Sequence, residues 1–99
     1  MICGKLHFVP ATRQLLNGGV EISVTRTEAS ILEHLMKKNG EVVTHSELAE
    51  AVWGTDYPDS VDSLRVHIRR LRQKVEEDPD NPKIILSRSG VGYLLAKEG

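Results

Sequence analysis

The chain has 99 residues, which is the length of one domain that can bury a single core without disulfides or metals. An apolar fraction of 39% and a charged fraction of 27% exclude collagen, coiled-coil and disordered classes. No apolar run approaches the roughly 20 residues of a membrane helix, and the start "MICGKLHF" lacks a signal-peptide pattern. We therefore expect residues 1–99 to form one cytoplasmic domain without a membrane partner, in which the lone Cys3 forms no internal bridge.

The first quarter of the chain has the pattern of a small antiparallel sheet. The segments "KLHFV", "RQLLN" and "VEISV" are short and apolar, and the turn sequences "PAT" and "NGG" separate them. Val20, Ile22 and Val24 alternate with polar residues, which predicts a sheet with one face in water.

Two helices follow, and each begins with a capping-box pattern. Thr25 is followed three residues later by Glu28, and Thr44 by Glu47. The first helix is predicted to end at "NG" and the second at Gly54. The apolar residues that we expect to face the core are Ala29, Leu32, Leu35 and Met36 in the first helix, and Leu48, Val52 and Trp53 in the second.

A third helix is predicted from about 60 to 77, between the turn-rich "GTDYPDS" and "DPDNP". Its apolar stripe recurs at spacings of three and four: Val61, Leu64, Ile68, Leu71 and Val75. The opposite face is centred on Val66 and Gln73, with Arg69, Arg70 and Asp62 beside them and Arg65, His67, Arg72 and Lys74 toward the flanks. The stretch "SLRVHIRRLRQK" holds five of the thirteen Lys and Arg and none of the fourteen Asp and Glu, so the net charge of −1 hides a local positive patch.

A basic helix face of this kind fits double-stranded DNA. An α-helix has the width to enter the major groove, and arginine donates bidentately to guanine and to phosphate. Val66 in the middle of the basic face can contact a thymine methyl, although a solvated surface valine explains it too. The Trp53 indole N–H can donate to a phosphate, but a buried tryptophan without a DNA role fits equally well.

The last segments predict a β-hairpin. "KIILS" and "GYLLA" flank the glycine-rich "RSGVG", in which Arg88 lies between Ser87 and Ser89. Such a loop is slim enough to approach a narrow minor groove. The order of sheet, three helices and hairpin predicts an α+β fold.

Together these blocks resemble the C-terminal winged-helix DNA-binding domain of OmpR/PhoB-type two-component response regulators. The KdpE-like branch of that family is most similar to "SLRVHIRRLRQKVE". The resemblance covers almost the whole chain, because the leading sheet, "TRTEASILEHLMKKNGEVVTHSELAEAVWG", "VHIRRLRQKVEEDPDNP" and "SRSGVGY" match family blocks in family order. It implies a winged helix-turn-helix in which helix 60–77 reads the major groove and residues 87–92 form a wing near the minor groove.

The resemblance also implies residue roles. Arg70 is similar to the family's principal base reader and Val66 to its apolar base contact, whereas His67, Arg69 and Arg72 match phosphate contacts. Ser87 matches a backbone contact near the wing. The whole expected DNA-binding set is Trp53, Arg65, Val66, His67, Arg69, Arg70, Arg72, Lys74, Ser87 and Arg88.

Three positions depart from the family pattern. The family's arginines before the first wing glycine and after the wing tyrosine are replaced by Ser89 and Leu94, so Arg88 is the candidate substitute in the minor groove. Arg65 replaces a common Asp and adds charge to the helix.

The resemblance implies partners beyond DNA. The loop before the third helix matches the family's contact with RNA polymerase, through Gly54, Thr55, Asp56, Tyr57 and Asp59. Family members carry a phosphorylatable receiver domain ahead of this one. No such domain is encoded in these residues, so we expect the receiver and its sensor kinase to act on this chain in a full-length protein. We also expect a monomer in isolation and two copies on tandem half-sites.

Two other classes of function were weighed. An enzyme is not expected, nor a metal or cofactor, because no metal-ligand or triad spacing joins the four histidines, His7, His34, His45 and His67. A winged-helix module that uses the same basic helix on an acidic protein or on RNA stays open. Steeply salt-dependent, sequence-selective binding to duplex DNA would distinguish it from a DNA reader.

Overall fold

The computed structural model describes residues 1–54 and 60–96, with the backbone alone for residues 60 and 61. Its elements, in chain order, are β1 (Ile2–Cys3), β2 (Leu6–Val9), β3 (Gln14–Asn17), β4 (Val20–Ile22), α1 (Arg26–Lys37), β5 (Val43–Thr44), α2 (His45–Trp53), α3 (Ser60–Val75), β6 (Ile85–Arg88) and β7 (Gly92–Leu95). This confirms the α+β class with a leading antiparallel sheet, three helices and a terminal hairpin. The short strands β1 and β5 were not predicted.

The leading sheet has the strand order β1-β2-β3-β4 and is antiparallel throughout. Leu6, Phe8 and Leu15 point to one face and are buried, while His7 on the other face is exposed. The predicted sheet with one face in water is thus confirmed. Val20, at the start of the edge strand β4, is exposed, so the alternation marks packed side chains only from Ile22 onward.

Both predicted helix starts are present. The Thr25 hydroxyl accepts from the Glu28 N–H at 3.1 Å, and the Glu28 carboxylate accepts from the Thr25 N–H at 3.0 Å, which completes the capping box of α1. At α2, Thr44 Oγ1 accepts from the Glu47 N–H at 3.1 Å. The carboxylate of Glu47 instead lies 3.4 Å from the Lys38 ammonium.

Helix α3 is fixed to the core by the predicted apolar stripe. Leu64, Ile68, Leu71 and Val75 are all buried, which confirms the orientation of the helix; the Val61 side chain lies outside the described part of the chain. They pack in one cluster with residues of α1, α2, the leading sheet and the hairpin. The basic side of α3 is therefore turned outward by burial of its other side.

The helix ends at Val75, two residues before the predicted end, and Glu76 shows why. Its carboxylate is buried and accepts from the backbone N–H groups of Lys83 at 2.8 Å, Ile84 at 3.0 Å and Ile85 at 2.8 Å. One side chain thereby satisfies the donors of the chain that enters β6. The turn out of α3 is held from inside rather than by "DPDNP" alone.

The hairpin belongs to a three-stranded sheet with the order β5-β7-β6. Gly92 pairs with Arg88 on one side and with Thr44 on the other. A Cβ on Gly92 would lie 1.9 Å from the Val43 carbonyl oxygen, far inside any normal contact. This glycine is therefore required by the close approach of β5 and β7, whereas Gly90 in the loop has a φ of +74° and open space around it.

Gly92→Ala should lower the free energy of unfolding by about 3 kcal/mol, because backbone must move to admit the methyl group. The matched control is Gly90→Ala, which introduces left-handed strain without a clash and should cost about 1 kcal/mol. Denaturant unfolding of both variants measures the difference. Equal losses would show that the approach of β5 does not restrict position 92.

Candidate nucleic-acid interface

The outward side of α3 carries an exposed valine among mostly basic residues. Its exposed residues include Asp62, Arg65, Val66, Arg69, Arg70 and Gln73. Val66 is 48% exposed although it neighbours the buried Leu64 and Ile68 in the same helix. An exposed valine among guanidinium groups contributes nothing to the core. This face thus combines a helix held in place by the core with guanidinium groups, which donate hydrogen bonds in pairs, and with the methyl groups of Val66.

His67 lies on an inner flank of α3 rather than on this outward side. It is half-buried, and its ring centroid lies 5.7 Å from that of Trp53, which is itself half-buried at the end of α2. Burial lowers the pKa of His67, and the positive charge of Arg70 lowers it further, while the Glu28 carboxylate opposes both. Its Nδ1 is buried and has no hydrogen-bond partner among the described residues. A ring kept neutral in this way brings no charge to a phosphate, and its expected phosphate contact stays a prediction.

Lys74 forms an internal ion pair. Its ammonium group donates to the carboxylate of Glu28, whose side chain is 1% exposed. Burial by itself would raise the pKa of Glu28, but the hydrogen bond from Lys74 and the one from the Thr25 N–H together bring that pKa below its ordinary range. The same carboxylate therefore caps α1 and holds α3. Lys74 is committed to the protein, and its expected DNA contact stays a prediction.

Arg72 lies on the flank of α3 that faces the hairpin. Its Nε and Nη2 donate to the Ile85 carbonyl oxygen at 3.0 and 2.8 Å, and Nη2 also donates to Ser87 Oγ at 2.9 Å. Its guanidinium carbon lies 5.9 Å from the centroid of the Tyr93 ring. Arg72 thus joins the basic helix to both strands of the hairpin. The structure brings Arg72 and Ser87, two residues of the expected DNA-binding set, into direct contact.

The hairpin tip presents polar and basic groups to solvent. Ser87, Arg88 and Ser89 are exposed, and Val91 closes the loop by donating its N–H to the Arg88 carbonyl at 2.9 Å. The Val91 carbonyl accepts from the His45 N–H at 3.0 Å, which fixes the tip to the start of α2. Leu94, where the family often has arginine, is instead buried. Arg88 is accordingly the arginine of the exposed hairpin end.

One residue of the expected polymerase-contact loop lies in the described part of the chain. This residue, Gly54, is exposed and ends α2 with a φ of +87°. Thr55, Asp56, Tyr57 and Asp59 of the expected polymerase-contact loop lie outside the described residues.

Within residues 1–54 and 60–96, no three His, Cys, Asp or Glu side chains come close enough together to hold a metal ion. None of the described helices has the length and apolar character to cross a membrane.

Sequence reasoning missed the internal partners of α3. The start signal of α1 located Glu28 but not its ion pair with Lys74, 46 residues away. Glu76 begins the acidic run that follows the basic stretch in the sequence, and nothing local distinguishes its buried carboxylate from the exposed ones after it. One feature of the sequence could have indicated internal partners. Arg72 and Lys74 lie on the flanks of the helix, where side chains border both solvent and core.

Comparison with known proteins agrees with this arrangement. The model of the family "Transcriptional regulatory protein, C terminal" matches residues 19–95. The match begins in the leading sheet and ends in β7, and includes all three helices.

Several solved structures have the same fold. The RstA DNA-binding domain of Klebsiella pneumoniae, solved in complex with the RstA box, is 27% identical with a TM-score of 0.86; the match covers 97% of this chain and 95% of that one. DrrB of Thermotoga maritima, a response regulator and OmpR/PhoB homologue, is 30% identical with a TM-score of 0.85, and the match covers 97% of this chain but 43% of DrrB. The DNA-binding domain of CpxR from E. coli is 26% identical with a TM-score of 0.79, covering 98% and 95% of the two chains. These similarities support a winged-helix fold.

The lowered pKa of His67 predicts a pH-dependent stability. Because the unfolded chain takes up the proton near pH 6.5 and the folded chain only below that value, stability is full above 6.5 and falls as the pH decreases toward the folded-state pKa. His67→Gln should therefore lose less stability than the parent chain between about pH 7.5 and 5.5. Urea unfolding at each pH measures this, with the exposed His7→Gln as control. Parallel profiles for His67→Gln and the parent chain would contradict the assignment.

Proposed function

Because the chain belongs to the family of transcriptional regulatory protein C-terminal domains, we propose that it binds double-stranded DNA sequence-specifically as the output domain of an OmpR/PhoB-type response regulator. The observation that carries the proposal is the exposed Val66 among Arg65, Arg69 and Arg70, on a helix whose opposite stripe is buried. The RstA domain, solved with the RstA box, supports the choice of DNA.

Helix α3 would enter the major groove with this face toward the base edges. Val66 and Arg70 are separated by four residues and therefore lie one above the other on the same face. Their side chains would reach neighbouring base pairs, with the valine against a thymine methyl and the arginine on guanine O6 and N7. Arg69 and Arg65 are displaced toward the opposite side of the face, and we assign them to phosphates.

The hairpin would lie along the adjacent minor groove. Ser87 and Arg88 end β6, and both are exposed. A single guanidinium at the hairpin end can follow a narrow minor groove, whose negative potential attracts arginine. Four further residues of the expected set border the outward face of α3 and contact other parts of the protein: Trp53, His67, Arg72 and Lys74. We propose that they hold this face in position.

The wider regulatory setting is also part of the proposal. The chain spans 43% of DrrB, so a receiver domain and a sensor kinase belong to the regulator that we propose for it. We further propose that the regulator is cytoplasmic, binds tandem half-sites on DNA, and contacts RNA polymerase through the loop before α3. A place in the KdpE-like branch rests on the stretch "SLRVHIRRLRQKVE" alone.

The rival functions are less well supported by the geometry. The major groove of double-stranded RNA is too deep and narrow to admit a helix such as α3, which favours DNA over duplex RNA. An acidic protein partner would account for the arginines but not for a central valine at the position of a methyl contact. Catalysis is not part of the proposal, because the family to which the chain belongs is one of transcriptional regulatory domains.

Arg70→Ala should weaken binding to the selected duplex by about 1–3 kcal/mol and relax discrimination at one base pair, because it removes a bidentate base contact. Arg69→Ala should instead weaken binding to selected and random duplexes alike and lower the salt slope by about 1. Fluorescence anisotropy across a salt series, on duplexes chosen from a random pool, measures both effects.

Arg13→Ala is the charge-matched control, because Arg13 is exposed in the turn between β2 and β3 of the leading sheet. It should leave affinity, discrimination and salt slope close to those of the parent chain. If Arg70→Ala affects selected and random duplexes equally, Arg70 is a phosphate contact. If the pool yields no preferred duplex at all, the proposed function is wrong.

A further inference from the structure

Arg72 bonds a backbone carbonyl on the outer edge of the hairpin, where a further strand would otherwise pair. β6 is an edge strand, since the sheet order is β5-β7-β6. The Ile85 carbonyl accepts from Nε and Nη2 of Arg72, while the Ile85 N–H donates to the Glu76 carboxylate at 2.8 Å. Arg72 and Glu76 are four residues apart on one side of α3 and its C-terminal end. Two charged side chains therefore satisfy both backbone groups of one edge residue.

Arg72 and Glu76, which we call the clamp because both bind the Ile85 backbone, lie next to the exposed end of the hairpin. Ser87, which also accepts from Arg72, is followed directly by Arg88 on the same strand. Across the ladder, Ser87 pairs with Tyr93, over whose ring the Arg72 guanidinium lies. Arg72 thus contacts the two paired strands at the level from which the tip extends. It therefore links the base of the tip to α3, while the bond from the His45 N–H to the Val91 carbonyl links the tip to α2.

On the basis of the proposed function, we infer that Arg72 is a positioning residue for DNA binding and not a phosphate contact. It holds the hairpin at a fixed distance and angle from α3, so that Arg70 and Arg88 can engage one duplex together. Such pre-organisation increases affinity because the relative position of two contacting elements need not be ordered at binding.

Exposure and donor geometry distinguish Arg72 from the neighbouring arginines. Arg65 and Arg69 are exposed, whereas Arg72 is half-buried and directs Nε and Nη2 toward the hairpin. A phosphate could compete for Nε and Nη2 only by releasing Ile85 and Ser87, so a phosphate that left the hairpin contacts intact would have to bind through Nη1. The resemblance to the family placed Arg72 with the phosphate contacts, and the geometry of this chain points to a different role.

The discriminating variant is Arg72→Lys. Lysine keeps the positive charge that a phosphate contact needs, but it lacks the planar fork that grips Ile85 and Ser87 at once. We expect Arg72→Lys to lose about tenfold in affinity for the selected duplex, nearly as much as Arg72→Ala. Binding of Arg72→Lys at the level of the parent chain would overturn the inference, because charge alone would then suffice.

A double-mutant cycle tests whether Arg72 acts through the hairpin. With Arg88→Ala already present, Arg72→Ala should cost much less than it does in the parent chain, whereas Arg69→Ala should cost the same in both backgrounds. Additive losses for Arg72 and Arg88, or no loss from Arg88→Ala alone, would overturn the inference.

Measurements without DNA separate this inference from the proposed function. Arg72→Lys should keep the folded core, seen as unchanged amide signals of α1, but shift or speed the exchange of the amides of Ser87 and Arg88. Ser87→Ala removes one acceptor without touching charge and should act in the same direction with a smaller effect. Unaltered hairpin amides in Arg72→Lys would contradict the clamp whether or not the chain binds DNA.

Discussion

The structure depends on one helix that must serve two surfaces at once. Leu64, Ile68 and Leu71 fill the centre of a core to which every other element contributes, and the residues between them form the basic outward face. In a chain of 99 residues the core is small, so this stripe cannot loosen without cost to the whole domain. An outward face built on it inherits the rigidity of the core. The base-edge contacts that we propose for this face require such rigidity.

The flanks of α3 connect these two surfaces, and they use charge for a structural purpose. Lys74 reaches the buried Glu28 at the start of α1, while Arg72 and the buried Glu76 reach the free edge of β6. Glu28 and Ile85 are buried, so the loss of these contacts would leave a buried charge or backbone group with fewer partners and would cost more than the loss of a surface ion pair. The positive patch of the sequence is therefore divided between an outward arginine face and inward clamps.

The features predicted correctly from the sequence are those set by neighbours within about one helical turn. The cap at Thr25, the stripe on α3 and the turns of the leading sheet depend on spacing alone. The partners of Arg72 and Lys74 lie 13 and 46 residues away, and no local pattern encodes such distances. The two-residue strand β5 is too short to show an alternation. The requirement for glycine at position 92 has no local signal either, because the close approach of Val43 exists only after β5 has paired with β7.

Net charge is a poor guide to partners in such a chain. The exposed acidic residues Glu77 and Asp78 follow the C-terminal end of α3, whereas Arg65 lies a dozen residues earlier, about 18 Å along the helix axis. At physiological salt, charges farther apart than about 8 Å are largely screened from one another. A duplex against the outward face would therefore lie beyond the range of effective repulsion from Glu77 and Asp78. The exposed Asp62 in the first turn of α3 does lie on this face, where Arg65, Arg69 and Arg70 outnumber it. The net charge of −1 is compatible with a strongly positive local field.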